Sequence, residues 1–271
     1  MEGGGEMRKI LIFFGIFVFT ARIFSADTEQ EKIKKLIEKY KNAVVTVRII
    51  KKEWSVMEGK EFSKTERKNE VTGTIIDKNG TVIISAFAAD PAKFFNRLNK
   101  RKFFGFEWRS QITGIKIILP DKREIDGKIV LKDEKLDLLF IKPEKKKDIK
   151  FEFVNLKDYK QPEIMEKIVM ITRMGKIGDR IVFASLSRIG GIIKKPRIYY
   201  LSTAQMAPLG SPVFTVDGKV VGINLIRARS SDMPLSFFTF SLSDFGILPV
   251  ILPAEEIGKI ASKLQKNQKK K

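Results

Sequence analysis

The sequence contains no cysteine and no histidine in its 271 residues. Without cysteine there is no disulfide framework and no thiol chemistry. Without histidine there is no imidazole to act as a general base, to bind a metal ion or to change charge near neutral pH. These absences exclude every mechanism that needs one of those groups, and we predict neither a metal site nor a cofactor.

Acidic residues are few beside basic ones: 32 Asp and Glu stand against 52 Lys and Arg, for a net charge of +20. Such a charge attracts acidic proteins, nucleic acids and anionic lipids. The lysines are spread along most predicted loops, and the sequence holds no dedicated nucleic-acid motif. We therefore predict a peptide or protein partner, favour an acidic one, and keep peripheral contact with an anionic membrane as a further option. The oligomeric state is left open.

Long apolar runs are scarce, and the clearest one lies near the N-terminus. Residues 10–19 are continuously apolar, follow Arg8 and Lys9, and precede the small residues Ser25 and Ala26. A basic segment, a short apolar core and small residues are typical of a secretory signal peptide. We predict a signal peptide at residues 1–26 and an exported protein, located in the periplasm, the cell envelope or the medium. An uncleaved anchor is the alternative.

One helix is predicted at each end of the mature chain. Thr28 and Glu31 have the spacing of a capping box at the start of a helix over residues 27–40. The apolar stripe of this helix comprises Ile33, Leu36, Ile37 and Tyr40. Residues 254–264 predict the second helix, and residues 265–271 a basic tail.

Between the helices, short β-rich runs alternate with turn signals, which favours an all-β fold. Two segments interrupt this pattern. Residues 51–70 are charged and predict a long hairpin. Residues 91–110 mix aromatic with basic residues and predict a long loop, whose aromatic side chains either pack onto the fold or bind a partner.

Residues 203–224 combine a kinked loop with a hairpin. Two β-rich runs flank Asp217-Gly218, and this pair predicts a tight turn because glycine accepts a positive φ. The loop upstream contains Pro208, Leu209, Gly210, Ser211 and Pro212.

This stretch resembles the nucleophile region of trypsin-like serine proteases of the HtrA/Deg type, where a Gly-Asn-Ser-Gly-Gly-Pro loop precedes a hairpin ending in Val-Val-Gly-Ile. Three further segments resemble that family in the same order, at residues 71–87, 133–142 and 252–257. The resemblance implies two six-stranded antiparallel β-barrels, the chymotrypsin fold, with short N- and C-terminal helices. The first barrel is expected within residues 27–144 and the second within 145–264, with no PDZ domain after them.

The resemblance also implies a degenerate triad. The family's histidine falls on Phe87, its orienting aspartate on Asp137 and its nucleophilic serine on Leu209. A serine protease needs a hydroxyl nucleophile and a base within reach of it. We therefore predict an inactive pseudoprotease that binds a peptide or partner protein. Its predicted binding residues are Pro208, Gly210 and Ser211. Asp137 can also have a purely structural role, accepting hydrogen bonds from nearby backbone N–H groups.

Two alternatives remain open. Because the loop is shorter than the family's, Ser211 is a candidate displaced nucleophile, with a lysine of lowered pKa as its base. In that case the protein is an active serine-type endopeptidase. The second alternative is a binder of anionic polymers that acts through the lysine-rich surface.

Overall fold

The structure, a computed structural model, describes residues 27–98, 106–145, 149–204, 208–228 and 247–269. The predicted signal peptide lies outside the described residues. No helix in these ranges is both long enough and apolar enough to cross a membrane. Most of the described chain forms strands, which are arranged in two closed barrels.

The first barrel is built from the N-terminal six strands. They are β1 (Val44–Met57), β2 (Lys60–Ile75), β3 (Val82–Ser85), β4 (Phe106–Ile118), β5 (Glu124–Asp133) and β6 (Leu138–Pro143). All pairs are antiparallel, in the order β1-β2-β3-β6-β5-β4. On β1, Val45, Val47 and Ile49 alternate into the barrel interior, where each is fully buried.

The second barrel repeats the arrangement. Its strands are β7 (Lys167–Arg173), β8 (Val182–Ile193), β9 (Tyr199–Ser202), β10 (Pro212–Thr215), β11 (Val220–Ala228) and β12 (Ile247–Pro253). They pair in the order β10-β11-β12-β9-β8-β7. The structure therefore confirms the predicted all-β fold of two six-stranded antiparallel barrels.

The described helices are α1 (Glu29–Tyr40), α2 (Ala86–Ala89), α3 (Pro91–Leu98) and α4 (Ala254–Lys269), besides a 3₁₀ turn at Lys176–Gly178. The capping box predicted at Thr28 and Glu31 is present. Helix α1 buries Leu36 and Tyr40, and the Tyr40 ring stacks on Phe214 of β10 at a centroid distance of 4.5 Å. Helix α4 extends to Lys269, so most of the predicted tail continues this helix.

The charged segment at residues 51–70 is a long hairpin, as predicted. β1 and β2 stay paired as far as Met57 opposite Lys60, and Gly59 in the turn has a φ of 81°. The prediction of one long loop at residues 91–110 is wrong, because the described part of this segment contains α3 and the start of β4. β4 pairs with β1 from end to end, between Phe106 opposite Met57 and Ile118 opposite Thr46, and this pairing outweighs the weak local sequence pattern.

The loop between β10 and β11 is longer than the predicted tight turn. Thr215 N–H donates to Lys219 O, and Gly218 N–H donates to Thr215 O, so three residues separate the bonded pair. Gly218 has the expected positive φ, 83°. A three-residue loop with glycine in the left-handed region is the next common way to close a hairpin.

Buried polar contacts join the two barrels. The hydroxyls of Thr72 on β2 and Thr172 on β7 lie 3.0 Å apart, and Thr74 Oγ1 donates to Gly210 O at 2.7 Å. The guanidinium of Arg173 donates to the carbonyls of Lys41 and Val44. Burial lowers the pKa of Arg173, so this cation depends on the carbonyl oxygens that face it.

Gly210 is the tightest point of this seam. Its φ is 87°, and a Cβ built there would lie 2.2 Å from the backbone oxygen of Thr72. We expect Gly210→Ala to lower the free energy of unfolding by about 3 kcal/mol or more, measured by urea denaturation. The cost of a positive φ in alanine adds to the cost of the clash between its Cβ and the backbone.

Gly175→Ala is the matched control. Gly175 has a φ of −68° and no atom within 4 Å of a built Cβ. This change is expected to leave stability unchanged or to raise it by up to about 1 kcal/mol. Equal stability of the two variants would contradict a tight approach of the barrels at Gly210.

Candidate functional site

The fold brings together the three positions at which the resemblance implies a degenerate triad. Phe87 lies in α2 directly after β3, Asp137 directly before β6, and Leu209 three residues before β10. The side chains of Phe87 and Leu209 both pack against Ile226 and Ile247 of the second barrel. Where the resemblance implies a base and a nucleophile, the structure therefore has one continuous apolar cluster.

Asp137 joins this cluster through hydrogen bonds. Its side chain accepts from Ser85 Oγ at 2.7 Å, from Phe87 N–H at 2.7 Å and from Ile226 N–H at 2.9 Å. Its carbonyl accepts from Ala86 N–H at 3.0 Å. The carboxylate thus ties β3 and α2 of the first barrel to β11 of the second.

The backbone and burial of Asp137 are both unusual. Its φ is 59°, in the left-handed region that aspartate tolerates better than most residues, and the residue is 5% exposed. Burial raises its pKa to about 6, against the opposing effect of hydrogen bonds from the Ser85 side chain and from the backbone of Phe87, Ile226 and Ala86. Burial therefore makes the folded protein hold this proton more tightly than the unfolded chain does.

Sequence reasoning missed Ser85 and Ile226. Ser85 Oγ donates to Asp137 and accepts from Ala88 N–H at 3.0 Å, so it is the N-cap of α2. A serine at the end of a β-rich run is the signal that marks such a cap. Ile226 contributes only its backbone N–H and its apolar side chain, which no sequence pattern distinguishes.

Asn224 holds the loop at residues 208–211 in place. Its Nδ2 donates to Pro208 O at 3.1 Å, its N–H donates to Ser211 O at 2.9 Å, and its carbonyl accepts from Gly210 N–H at 2.7 Å. The amide of Gly210 is therefore already used inside the loop. Of the three predicted binding residues only Pro208 is exposed, since Gly210 and Ser211 are buried.

Ser211, the candidate displaced nucleophile, is 0% exposed. Its Oγ has no hydrogen-bond partner among the described residues, and so none of them acts on it as a base. A nucleophilic role would require both an opening of the loop and the approach of a proton acceptor. Within the same residues, no group of three or more acidic side chains could hold a metal ion.

Beside the cluster, β11 presents an unpaired side. Pairing with β10 ends at Ile223, and no described strand continues it, whereas pairing with β12 reaches Ala228. Asn224 directs its backbone groups towards the β10 side. Because a strand alternates, Ile226 and Ala228 direct theirs to that side as well. The Ile226 N–H meets Asp137, and its carbonyl faces the open side.

An aromatic row leads away from Phe87. The rings of Phe87 and Phe95 meet edge to face at 6.2 Å, and Phe95 stacks on Trp108 at 6.2 Å. The row ends near Lys51, whose buried ammonium lies 2.7 Å from Glu53. These described aromatic residues of the predicted 91–110 loop therefore pack on one another.

The pKa of Asp137 gives a test with a definite sign. Because the folded-state pKa is raised from 3.8 to about 6, the native state binds the proton more tightly than the unfolded chain. The unfolding free energy of the wild type, relative to Asp137→Asn, should fall by up to about 3 kcal/mol as pH rises through this window. Denaturant titrations across the window measure it.

Asp121→Asn is the control, because Asp121 bonds to Arg123 and its pKa is lowered. The stability that this ion pair contributes is present above the unfolded pKa and lost as pH falls, which is the opposite sign. If the unfolding free energy of the wild type relative to Asp137→Asn instead rises with pH, the hydrogen bonds of Asp137 lower its pKa more than burial raises it.

Comparison with known proteins places these features in a family. Residues 71–223, more than half of the chain, match the family model described as trypsin-like peptidase domain. No curated protein matches at a significant level. The matched segment runs from β2 to β11 and so includes Phe87, Asp137 and Leu209. With its two closed six-stranded barrels, the chain belongs to the trypsin-like peptidase domain family.

Proposed function

We propose that the protein is a catalytically inactive member of this family, of the HtrA/Deg type, which binds an extended peptide or a partner protein in the cell envelope. One observation carries the proposal: Phe87 and Leu209, at the positions that the resemblance gives to the base and the nucleophile, both pack on the cluster of Ile226 and Ile247. An apolar cluster at this point can hold side chains, but it cannot transfer protons.

The chemistry of peptide hydrolysis supports this proposal. Acyl transfer needs a nucleophilic oxygen, a base that takes its proton and donors for the developing oxyanion. Leu209 and Phe87 supply neither of the first two, and the Gly210 amide is engaged by Asn224. Loss of any triad member leaves a rate that is orders of magnitude below that of an intact enzyme.

The unpaired side of β11 supports peptide binding. An extended chain that pairs with a strand gains main-chain hydrogen bonds, and its alternate side chains enter neighbouring pockets. The carbonyl of Ile226 and the backbone of Ala228 face this side, directly next to the apolar cluster, while the Ile226 N–H is engaged by Asp137. A peptide bound here would place an apolar side chain against Phe87 or Leu209.

The HtrA/Deg assignment and the location in the cell envelope are supported by the sequence. The four segments that resemble the HtrA/Deg type appear in the order of that family, and the basic-apolar pattern at residues 1–26 is typical of exported proteins. A net charge of +20 favours an acidic partner and allows peripheral contact with anionic lipid.

The competing function, an active endopeptidase that uses Ser211, is favoured only by the unpartnered Oγ of that residue. The hydroxyl is buried, and the sequence supplies no histidine to activate it. An anionic-polymer binder would instead bind nucleic acid or lipid in a salt-sensitive way without binding peptides.

Fluorescein-labelled unfolded casein separates these functions. We expect the mature protein to raise the fluorescence anisotropy of the labelled casein, because it binds extended chains, and to cause no fluorescence dequenching above background. Ser211→Ala should behave identically, since it removes a buried hydroxyl that has no partner and leaves the fold intact.

Two outcomes would contradict the proposal. Dequenching that Ser211→Ala abolishes would make the protein an endopeptidase. Absence of casein binding, combined with salt-sensitive binding of oligonucleotide or anionic vesicles, would indicate that the protein binds anionic polymers instead of peptides. A peptide N-methylated at alternate residues should lose binding if the β11 edge is the site, because it can no longer donate to the strand.

A further inference from the structure

A second surface, separate from the apolar cluster, lies between helix α4 and the linker that joins the barrels. It is a groove of about 1080 Å³ whose walls are the β2–β3 turn at residues 77–79, linker residues 153–159 and α4. None of its lining residues belongs to the cluster around Phe87 and Leu209. We call it the α4 groove.

The frame of the α4 groove is fixed by both barrels. In the linker, Val154 N–H donates to Ile75 O, Phe151 packs against Gly80, and Lys160 N–H donates to Val220 O. Lys219 also forms an ion pair with Asp158 at 2.6 Å. Because the linker is anchored to β2 on one side and β11 on the other, the groove is a preformed feature of the fold.

The floor of the α4 groove is apolar. Ile76, Leu156 and Ala261 line it with buried side chains, while the rings of Phe153 and Tyr159 are 40% and 41% exposed. Large aromatic rings left half exposed inside a concave surface are unusual for a surface that only meets water. They can cover further apolar side chains without any rearrangement.

The rim of the α4 groove is basic. Its described lining includes five lysines and two acidic residues. The acids already have partners: Asp77 accepts from the backbone of Asn79 and Thr81, and Glu255 binds Lys259. The ammonium groups of three of the lysines have no acidic partner among the described residues: Lys78, Lys157 and Lys263.

From this combination we propose that the α4 groove binds an acidic, amphipathic segment of a partner protein. Apolar side chains of the segment lie on Phe153, Leu156 and Tyr159, and its carboxylates lie beside the unpaired lysines. The inference adds a second binding surface to the proposed function and does not depend on it. It stands on the shape, floor and charge of the groove alone.

The other anionic ligands fit the groove less well. A membrane surface is met by protruding apolar side chains, whereas Phe153 and Tyr159 line a concavity. Nucleic-acid phosphates favour arginine forks, and the described lining residues include lysine but no arginine. The buried aliphatic floor matches apolar side chains better than stacked bases.

Gly258 offers a way to close the groove without harming the fold. It lies within α4, and a Cβ built there would meet only Leu156 Cβ, at 4.0 Å. A Cβ at this position therefore fits without a clash, and Gly258 itself lines the groove. Replacing a glycine inside a helix also raises helix propensity.

The probe is a fluorescein-labelled synthetic peptide in which glutamate and phenylalanine alternate, so that one face of the extended chain is apolar. We expect the full chain to bind it in an anisotropy titration. Gly258→Gln should weaken binding about tenfold and Gly258→Ala much less, with both variants at least as stable as the wild type.

Charge reversal locates the binding site. Lys157→Glu with Lys263→Glu is expected to weaken binding about tenfold or more. Lys60→Glu with Lys135→Glu changes the net charge equally at exposed lysines outside the groove and should change affinity less than threefold. Binding of a neutral extended peptide should be unaffected by the groove variants, because it has no carboxylates for the lysines, and this separates the α4 groove from the β11 edge.

Four results would overturn the proposal. The first is an equal loss of binding in the two charge-reversal variants, which would mean that the affinity comes from the overall positive charge of the protein and not from the groove. The second is polyglutamate binding as tightly as the probe, which would leave the apolar floor without a role. The third is groove-dependent binding of phosphatidylglycerol vesicles or oligo(dT) in preference to the peptide. The fourth is probe binding that does not change when Gly258→Gln fills the groove.

Discussion

The buried carboxylate of Asp137 is the contact on which the junction of the two barrels depends. Burial raises its pKa, and three donors face the carboxylate: Ser85 Oγ, Phe87 N–H and Ile226 N–H. Two of these donors belong to the first barrel and one to the second. A buried carboxylate with partners from both barrels fixes how β11 lies against α2, since moving either element would remove at least one of its donors.

This role explains how the acid can remain useful where the resemblance implies that its catalytic partners are gone. An aspartate that orients a base needs a side chain to orient, and Phe87 offers only its backbone N–H. The same geometry that would hold a catalytic residue here holds the apolar cluster, because the donors of Asp137 set the position of Phe87 and Ile226. The fold of a protease is thus compatible with a site built for contact rather than proton transfer.

The sequence predicted the parts of the fold that local chemistry decides. The capping box at Thr28, the glycine of the β10–β11 loop and the all-β pattern follow from backbone preferences that a few residues carry. The strand inside residues 91–110 was missed because its stability comes from pairing with β1, and the helix was missed because it is held against that strand, where Trp108 N–H donates to Asn96 Oδ1. The positions of Phe87, Asp137 and Leu209 were predicted through the resemblance. The packing of Phe87 and Leu209 against Ile226 and Ile247 was not predicted, since it depends on contacts between strands that are distant in the sequence.

The two proposed binding surfaces, the β11 edge and the α4 groove, differ in how much they depend on charge. Beside the apolar cluster, recognition would come from the backbone of β11 and from shape, so its affinity should depend little on salt. In the α4 groove, lysines without acidic partners surround apolar rings, and binding there would weaken as salt screens the ammonium groups. The net charge of +20 therefore does not act evenly over the protein. The positive charge attracts an acidic partner most strongly where the neighbouring carboxylates already bind other groups, because the lysines there have no acidic partner within the described part of the protein.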